Sequence, residues 1–321
     1  MGALMKQVEL DGPKLRVSVV GFGCGGLMQL PYRKERRAVL GCAVDNGITH
    51  FDTARMYGLG MAEAELGAFV RTIRRDTVTI ATKFGIDAAG SARRFGRFQA
   101  PARAVLRKAP AIRRVVKRRH EAFATARTYD VETAARSLDQ SLTALQVDYI
   151  DILFVHAPRP TDSVHFDQLR QFFEKARDQG KIRAWGVSQD DVDVDIAGQF
   201  APDGVSQLQS NLLNPAPRPA DIAFGVLQQP HAVLSAALRA DAQLAQHWRE
   251  ALQLDPLAAG TLAGLLLASS TTALNCCAIL YSTTNPRRIA EAVDAISSPP
   301  PVDVLNRFQA LVAEFRKAHL G

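Results

Sequence analysis

The chain has 321 residues, of which 47% are hydrophobic and 22% charged, and its formal net charge is +7. This length suits one large domain or two modest ones, and the composition excludes a disordered chain, a coiled coil and a collagen. The four cysteines form no CxxC pair and no His/Cys cluster, which excludes a disulfide scaffold and predicts no metal site. We expect reduced, buried thiols in a cytoplasmic protein.

The positive charge comes from one segment. Eleven Arg or Lys residues and no Asp or Glu lie between residues 91 and 120, which leaves the rest of the chain with a net charge of −4. A chain that is basic throughout would suggest nucleic-acid binding, and because this one is not, we predict no nucleic-acid partner.

The start of the chain has no apolar signal segment, and the apolar stretch 257–268 is too short to span a membrane, so we expect no transmembrane segment.

In chain order, the first predicted element is a hairpin over residues 7–17, turning at Asp11-Gly12. Short apolar runs then alternate with helical patterns, and a helix is expected after each run. The predicted strands cover 17–20, 48–51, 77–82, 148–155, 182–187, 205–208, 232–235 and 277–280. Helices are predicted at 36–46, 62–74, 130–144 (with Asp130 as its cap), 166–179 and 303–319.

This alternation predicts a (β/α)8 TIM barrel, because about eight βα units follow one another without a break in composition. We assign residues 1–321 to a single barrel domain. The additions are the N-terminal β-hairpin, a long basic insertion (86–128) after the third strand and a C-terminal helix.

A GxGxxG pattern follows the first strand, as Gly21-Phe22-Gly23-Cys24-Gly25-Gly26. A Rossmann site needs a helix that opens at the third glycine, so that its N-terminus faces a pyrophosphate. Here Leu30-Pro31-Tyr32 comes before the helical pattern. The sequence therefore favours the barrel over a Rossmann fold.

Four polar residues fall at the carboxyl ends of three successive strands, where barrels carry their functional groups. Asp52 and Tyr57 follow the second strand, Lys83 the third and His156 the fourth. A lysine ammonium beside a tyrosine lowers the phenol pKa, and a carboxylate holds the lysine. A histidine can orient a substrate oxygen, so the set predicts a proton donor for a carbonyl undergoing reduction. Each residue alone has an ordinary structural explanation, whereas the four together favour catalysis.

The segments that carry these residues resemble the signatures of the aldo-keto reductases. They are 47–63, 80–85 and 148–156, followed by 180–188 at the fifth strand. The resemblance implies a barrel that binds NADP(H) and transfers a hydride between nicotinamide and a carbonyl or alcohol, in an aldehyde, ketone or sugar. It implies that Tyr57 is the general acid/base, tuned by Lys83 and Asp52, and that His156 orients the carbonyl. The alternative is a cofactor-binding regulatory or scaffold protein of the same fold with little turnover.

The resemblance also implies cofactor contacts. Arg288 would hold the adenosine 2′-phosphate, Glu291 would lie near adenine and Gln207 would contact the carboxamide. The other implied cofactor-binding residues are Gly23, Cys24, Asp52, Ser188, Gln189, Ser282 and Thr284.

Several positions depart from the family pattern. Ser282 stands where many members have lysine, Ser210 where an aromatic ring often stacks on nicotinamide, and Gln189 where asparagine is usual. Residues 236–238 lack the usual Ser-Pro-Leu of the seventh strand. We therefore expect only a moderate preference for NADP(H), with NAD(H) as the weaker cofactor.

The insertion at 86–128 leaves the third strand beside Lys83, so we expect it at the catalytic rim. Its apolar residues recur at helical spacing, opposite a row of arginines and lysines. Three interpretations stay open: a lid whose arginines favour an anionic substrate, a basic amphipathic helix for a membrane surface or an acidic partner, and a solvated decoration.

Overall fold

In the computed structural model, the described residues are 5–10, 12–87, 126–191 and 193–320. The strands are β1 (Gln7–Leu10), β2 (Leu15–Ser18), β3 (Val20–Gly23), β4 (His50–Asp52), β5 (Thr79–Phe84), β6 (Ile86–Asp87), β7 (Ala126–Arg127), β8 (Ile150–His156), β9 (Ile182–Gln189), β10 (Val205–Gln209), β11 (Ala220–Phe224) and β12 (Cys276–Tyr281). Eight of them form a closed barrel in the order β3, β4, β5, β8, β9, β10, β11, β12, with every neighbouring pair parallel. The predicted barrel is confirmed.

The helices surround this barrel. They are α1 (Arg33–Asp45), α2 (Ala62–Val70), α3 (Val131–Leu145), α4 (Phe166–Asp178), α5 (Ile196–Phe200), α6 (Gln228–Ala240), α7 (Ala242–Leu252), α8 (Thr261–Ala273), α9 (Pro286–Ser297) and α10 (Val302–His319). The predicted cap of α3 is present, since Asp130 accepts a hydrogen bond from the Thr133 amide at 2.6 Å. The predicted C-terminal helix is confirmed as α10.

The N-terminal hairpin, β1 and β2, closes the lower end of the barrel. Its side chains Leu10, Leu15 and Val17 are buried in one cluster with inward-facing strand residues that include Ile152 and Phe154. Burying a large aliphatic side chain in this way contributes ~1.5–3 kcal/mol. Because apolar packing fills the lower end, the polar groups of the barrel are left at the carboxyl ends of the strands.

The first barrel strand is β3, which begins where the predicted strand 17–20 ends, because the chain bends at Val19 between hairpin and barrel. After β3 a 3-10 turn covers Cys24–Gln29, and α1 begins only at Arg33. The Rossmann arrangement is therefore absent at the GxGxxG motif. The apolar stretch 257–268 belongs mostly to the buried helix α8, and no helix in the described parts of the chain is long and apolar enough to cross a membrane.

The seventh strand was predicted wrongly. Residues 232–235 lie inside α6, which buries Pro230, Leu234, Ser235 and Leu238 at helical spacing. A run of four residues is too short to distinguish the two periods. The seventh strand of the barrel is β11. Residues 236–238, which we compared with the Ser-Pro-Leu of the family's seventh strand, belong to α6, so that comparison does not apply to the strand.

The connection from β10 to β11 contains no helix, contrary to expectation: residues 210–219 are all described and form turns and loop. A cavity of about 490 Å³ opens near the start of β11 and β12, lined by residues that include Ser206, Asp221 and Cys276. It lies at the end of the strands opposite to the predicted catalytic residues.

The insertion begins and ends in a short antiparallel ladder, in which Ile86 pairs with Arg127 and Asp87 with Ala126. Gly85 precedes it with φ of +103°, and a Cβ there would meet the Tyr129 ring at 2.2 Å, so this turn requires glycine. The helical stripe and basic face predicted for the insertion lie outside the described residues.

Candidate active site

Asp52 and Lys83 meet inside the upper barrel because Asp52 ends β4 and Lys83 is the last residue but one of the neighbouring strand β5. Lys83 Nζ lies 2.5 Å from Asp52 Oδ1 and 3.0 Å from the Thr53 carbonyl oxygen. Both side chains are almost fully buried, with exposures of 2% and 3%. A buried ammonium needs such partners, because an unpaired charge in this environment would be costly.

Tyr57 lies above this ion pair, on the loop that follows β4. Lys83 Nζ is 5.1 Å from the centroid of the Tyr57 ring. His156, at the end of β8, meets the same ring edge-on, with centroids 6.0 Å apart and planes at 84°. The four residues predicted from the sequence, Asp52, Tyr57, Lys83 and His156, therefore lie together at the mouth of the barrel.

The Tyr57 loop has an unusual backbone. Gly58, Leu59 and Gly60 all have left-handed φ values, of 57°, 57° and 84°. For Leu59 this conformation costs about 1 kcal/mol or more, and such strain persists only where surrounding contacts enforce it. The turn directs the chain from Tyr57 into α2.

Electrostatics at the mouth keep the histidine neutral and the tyrosine protonated. Burial raises the pKa of Tyr57, and the Lys83 ammonium offsets this only in part. Lys83 does act to lower the Tyr57 pKa, as the sequence predicted, but the predicted net lowering is wrong because the effect of burial is larger. Burial, aided by Lys83 and Arg127, holds the pKa of His156 well below its usual value. Desolvation alone would lower the pKa of Lys83, but Asp52 and Tyr57 raise it above its usual value.

His156 offers an unused polar atom. Its Nδ1 is buried and has no hydrogen-bond partner among the described residues. Its carbonyl oxygen accepts from the Tyr129 hydroxyl at 2.8 Å, which fixes this end of β8. Buried polar atoms usually have a hydrogen-bond partner, so this nitrogen is an exception within the site.

Gln207 and Ser188 extend the polar network from Asp52. Gln207 Nε2 donates to Asp52 Oδ2 at 2.9 Å, and the Ser188 hydroxyl donates to Gln207 Oε1 at 2.6 Å. Gly23, the last residue of β3, pairs with Asp52, and Cys24 follows it in the chain. Burial raises the pKa of the Cys24 thiol, and Asp52 adds to this effect, so the thiol stays protonated.

Two side chains expected near nicotinamide are engaged elsewhere. Gln189 donates to the carbonyl oxygens of Asp191 and Val194, and its oxygen accepts from the Ala197 amide at 3.1 Å. It is thereby tied to the start of α5. Ser210 Oγ accepts from the Ala216 amide at 3.0 Å. In this arrangement the Gln189 amide nitrogen is occupied by its own loop, whereas the Ser210 hydroxyl can still donate a hydrogen bond.

The remaining predicted cofactor residues lie at the end of β12 and on α9. Ser282 Oγ donates to the Gly23 carbonyl oxygen at 2.9 Å, which joins this group to the barrel mouth. Thr284 is half-buried, and Arg288 and Glu291 are exposed. The α9 N-terminus, capped by Asn285, presents Arg287 and Arg288 to solvent in its first turn. Exposed arginines at a helix N-terminus fit a phosphate group.

Sequence reasoning did not single out Arg55 and Glu63, two fully buried charged residues on either side of the Tyr57 loop. The signal that could have found Glu63 is its place on the buried face of α2, next to Ala62 and near Leu66. A carboxylate there must have a partner.

The sequence model of the Aldo/keto reductase family matches residues 20–217. This chain belongs to that family. Several relatives are named as reductases or dehydrogenases, and the name of one states that it uses NADP(+). Within the described residues, no group of three or more His, Cys, Asp or Glu side chains could hold a metal ion.

Individual aldo-keto reductases are similar over part of the chain. D-threo-aldose 1-dehydrogenase of a Pseudomonas species is 29% identical over 189 residues, which are 54% of this chain and 50% of that protein. Aldo-keto reductase yakc [NADP(+)] of Schizosaccharomyces pombe is 30% identical over 177 residues, or 54% of this chain and 43% of that protein. The chain thus spans about half the length of the curated relatives that it matches.

Solved aldo-keto reductases share the fold over almost the whole chain. A Bacillus halodurans aldo-keto reductase superimposes with a TM-score of 0.70 at 19% identity, covering 96% of both chains. Glycerol dehydrogenase of Gluconobacter oxydans gives 0.69 at 17% identity, over 98% of this chain and 96% of that one. At these identities the likeness concerns the barrel alone.

Proposed function

We propose that the protein transfers a hydride between NADP(H) and the carbonyl or alcohol group of a small molecule. The observation that carries this proposal is the position of Lys83 Nζ, 2.5 Å from Asp52 and 5.1 Å from the centroid of the Tyr57 ring. A buried ammonium in contact with a carboxylate and below a phenol is the arrangement that proton transfer to a substrate oxygen requires.

The roles of the four residues follow from their surroundings. NADPH, when bound, would supply the hydride. Tyr57 would donate its hydroxyl proton to the carbonyl oxygen as the carbonyl carbon is reduced, and it would regain a proton from solvent. Lys83 would stabilise the resulting phenolate, and Asp52 would hold Lys83 charged and in place. Neutral His156 would orient the carbonyl oxygen.

The proposed preference for the phosphorylated cofactor rests on α9. Arg288 would bind the 2′-phosphate, with Arg287 and the helix N-terminus adding positive potential. Ser282, which already bonds to Gly23, lacks the charge of a lysine. Gln207 and Ser188, which bond to Asp52 and to each other, would line the nicotinamide end. We therefore propose NADP(H) as the preferred cofactor, by a moderate margin.

A regulatory or scaffold protein is the second candidate function. Two observations favour it: the engagement of Gln189 by its own loop, and the similarity to a relative named probable voltage-gated potassium channel subunit beta of Arabidopsis thaliana, 25% identical over 191 residues. Such a protein would bind the cofactor with little turnover.

A steady-state assay separates the two candidates. The protein is mixed with NADPH and a panel of aldehydes, ketones and sugars, beginning with 4-nitrobenzaldehyde, and cofactor oxidation is followed by absorbance. We expect turnover in the wild type and a loss of ~10²–10⁴-fold in Lys83→Met, because the phenolate loses its counter-charge. Cofactor binding without turnover on any panel member would favour the regulatory candidate.

A further inference from the structure

A buried ion pair encloses the Tyr57 loop. Arg55 lies two residues before Tyr57 and Glu63 six residues after it, and their exposures are 1% and 0%. Arg55 Nη1 donates to Glu63 Oε2 across the base of this loop. The pair therefore closes a loop that contains Tyr57 and the left-handed residue Leu59.

Glu63 also binds the strand that carries Lys83. Its Oε1 accepts from the Thr82 hydroxyl at 2.7 Å and from the Ser141 hydroxyl of α3 at 2.6 Å. Thr82 is the residue before Lys83 on β5, and successive strand side chains point to opposite faces. One carboxylate thus joins the Tyr57 loop, the outer face of β5 and α3.

Arg55 is fixed from its other side as well. Its Nη2 donates to Gln140 Oε1 at 2.9 Å, and its Nε lies 3.9 Å from Asp87 Oδ1. Among the described residues, Asp87 and Glu63 are the acidic groups that face the guanidinium. The Arg55 backbone amide lies 3.4 Å from the Lys83 carbonyl oxygen, which brings the loop directly against β5.

We propose that Arg55 and Glu63 are positioning residues, whose ion pair holds the Tyr57 hydroxyl at the correct distance from Lys83. This inference rests on the proposed role of Tyr57 as general acid/base. Neither side chain reaches the barrel mouth, so neither is a catalytic residue. A loop with strained residues needs outside contacts to keep one conformation, and this pair supplies them from both of its ends.

The test is Glu63→Gln, which keeps the shape and the acceptor for Thr82 and Ser141 but removes the charge opposite Arg55. The matched control is Glu65→Gln, on the same helix. Glu65 pairs with Arg36 of α1 at 3.0 Å, away from the Tyr57 loop. For Glu63→Gln we expect kcat to fall by about 10- to 100-fold, because small displacements of a catalytic group have effects of this size. The KM for NADPH should stay unchanged.

A pH profile distinguishes positioning from stability. Moving Tyr57 away from Lys83 removes the effect that lowers its pKa, so the apparent pKa of alcohol oxidation should rise in Glu63→Gln by about half a unit or more. Glu65→Gln should leave the profile unchanged. A folded Glu63→Gln variant with wild-type kcat and wild-type profile would overturn the proposal, as would equal shifts in both variants.

Two further measurements keep the inference open to disproof. If Glu63→Gln does not fold, Arg55→Lys retains the charge while losing the forked contact, and an unchanged kcat and profile in that variant would overturn the proposal. If the wild type shows no turnover, the proposed function fails first. The Tyr57 pKa is then read from tyrosinate absorbance, as the difference between each protein and its own Tyr57→Phe derivative. A higher Tyr57 pKa with Glu63→Gln supports the proposed role of the Arg55–Glu63 pair, and an equal pKa contradicts it.

Discussion

Gln207 donates its side-chain amide to Asp52 Oδ2 at 2.9 Å, on the opposite side of the carboxylate from Lys83. Both oxygens of the buried carboxylate are therefore engaged, and the carboxylate cannot rotate without losing a partner. Because Gln207 is itself held by Ser188 at 2.6 Å, residues on three strands fix the position of Lys83.

Gln207→Leu should destabilise the protein by ~1–3 kcal/mol, because it leaves one oxygen of Asp52 and the Ser188 hydroxyl buried without their partner. The free energy of unfolding is measured in urea. Gln209→Leu, two residues further along β10, is the control and should change the stability by much less. Equal losses of unfolding free energy in the two variants would show that the hydrogen bond from Gln207 to Asp52 does not contribute specifically to stability.

Arg288→Ala should weaken NADPH binding far more than NADH binding. A charge-assisted contact to a phosphate contributes about 1.5–3 kcal/mol, which corresponds to roughly 10- to 100-fold in Kd. Fluorescence titration with each cofactor measures the two constants, and Arg287→Ala serves as the comparison for general loss of charge. If Arg288→Ala weakens the binding of both cofactors equally, the result would contradict the proposed contact between Arg288 and the 2′-phosphate.

Much of this site could be predicted because its residues occur in short, local motifs. Asp52, Lys83 and His156 each stand at the end of a strand, and the barrel alone brings them together. The orientation of Gln189 could not be predicted, because it depends on the loop that leads into α5. Residues 232–235 were too few to reveal their helical period, and the pairing of Arg55 with Glu63 depends on how the loop folds back onto α2.

His50 should make the stability of the protein depend on pH. Burial lowers the pKa of this histidine from 6.5 to about 4. As the pH falls below 6.5, His50 becomes protonated in the unfolded chain, whereas in the folded protein it stays neutral until about pH 4. Stability should therefore decrease across this window by roughly 3 kcal/mol, at 1.36 kcal/mol per unit of pKa shift.

Urea unfolding of the wild type and His50→Gln at several pH values between 7 and 4 measures this contribution. The difference in stability between the two proteins should shrink as the pH falls, because the variant has no group to protonate. His247→Gln, at an exposed position of α7, is the control. A constant difference between wild type and His50→Gln across the window would contradict the assignment.

Replacing residues 88–125 with a short Gly/Ser linker tests the role of the insertion. The paired ends, Asp87 and Ala126, are neighbours in one ladder, so a short linker can join them without disturbing the barrel. If the insertion is a lid, KM for the preferred substrate should rise or the substrate profile should change. Unchanged kinetics in a folded variant would contradict the lid. The two remaining interpretations, a helix that binds a membrane surface and a solvated decoration, are distinguished by a liposome sedimentation assay.

The most direct test of the central claim is the kcat of Tyr57→Phe with NADPH and the best substrate of the panel. The substitution removes the transferable proton and leaves the ring, its contact with His156 and the barrel unchanged. We predict that kcat falls by at least ~10²–10⁴-fold while the Kd for NADPH stays within about twofold of the wild type. Retention of most of the turnover would contradict the assignment of Tyr57 as the general acid/base and, with it, the proposed mechanism.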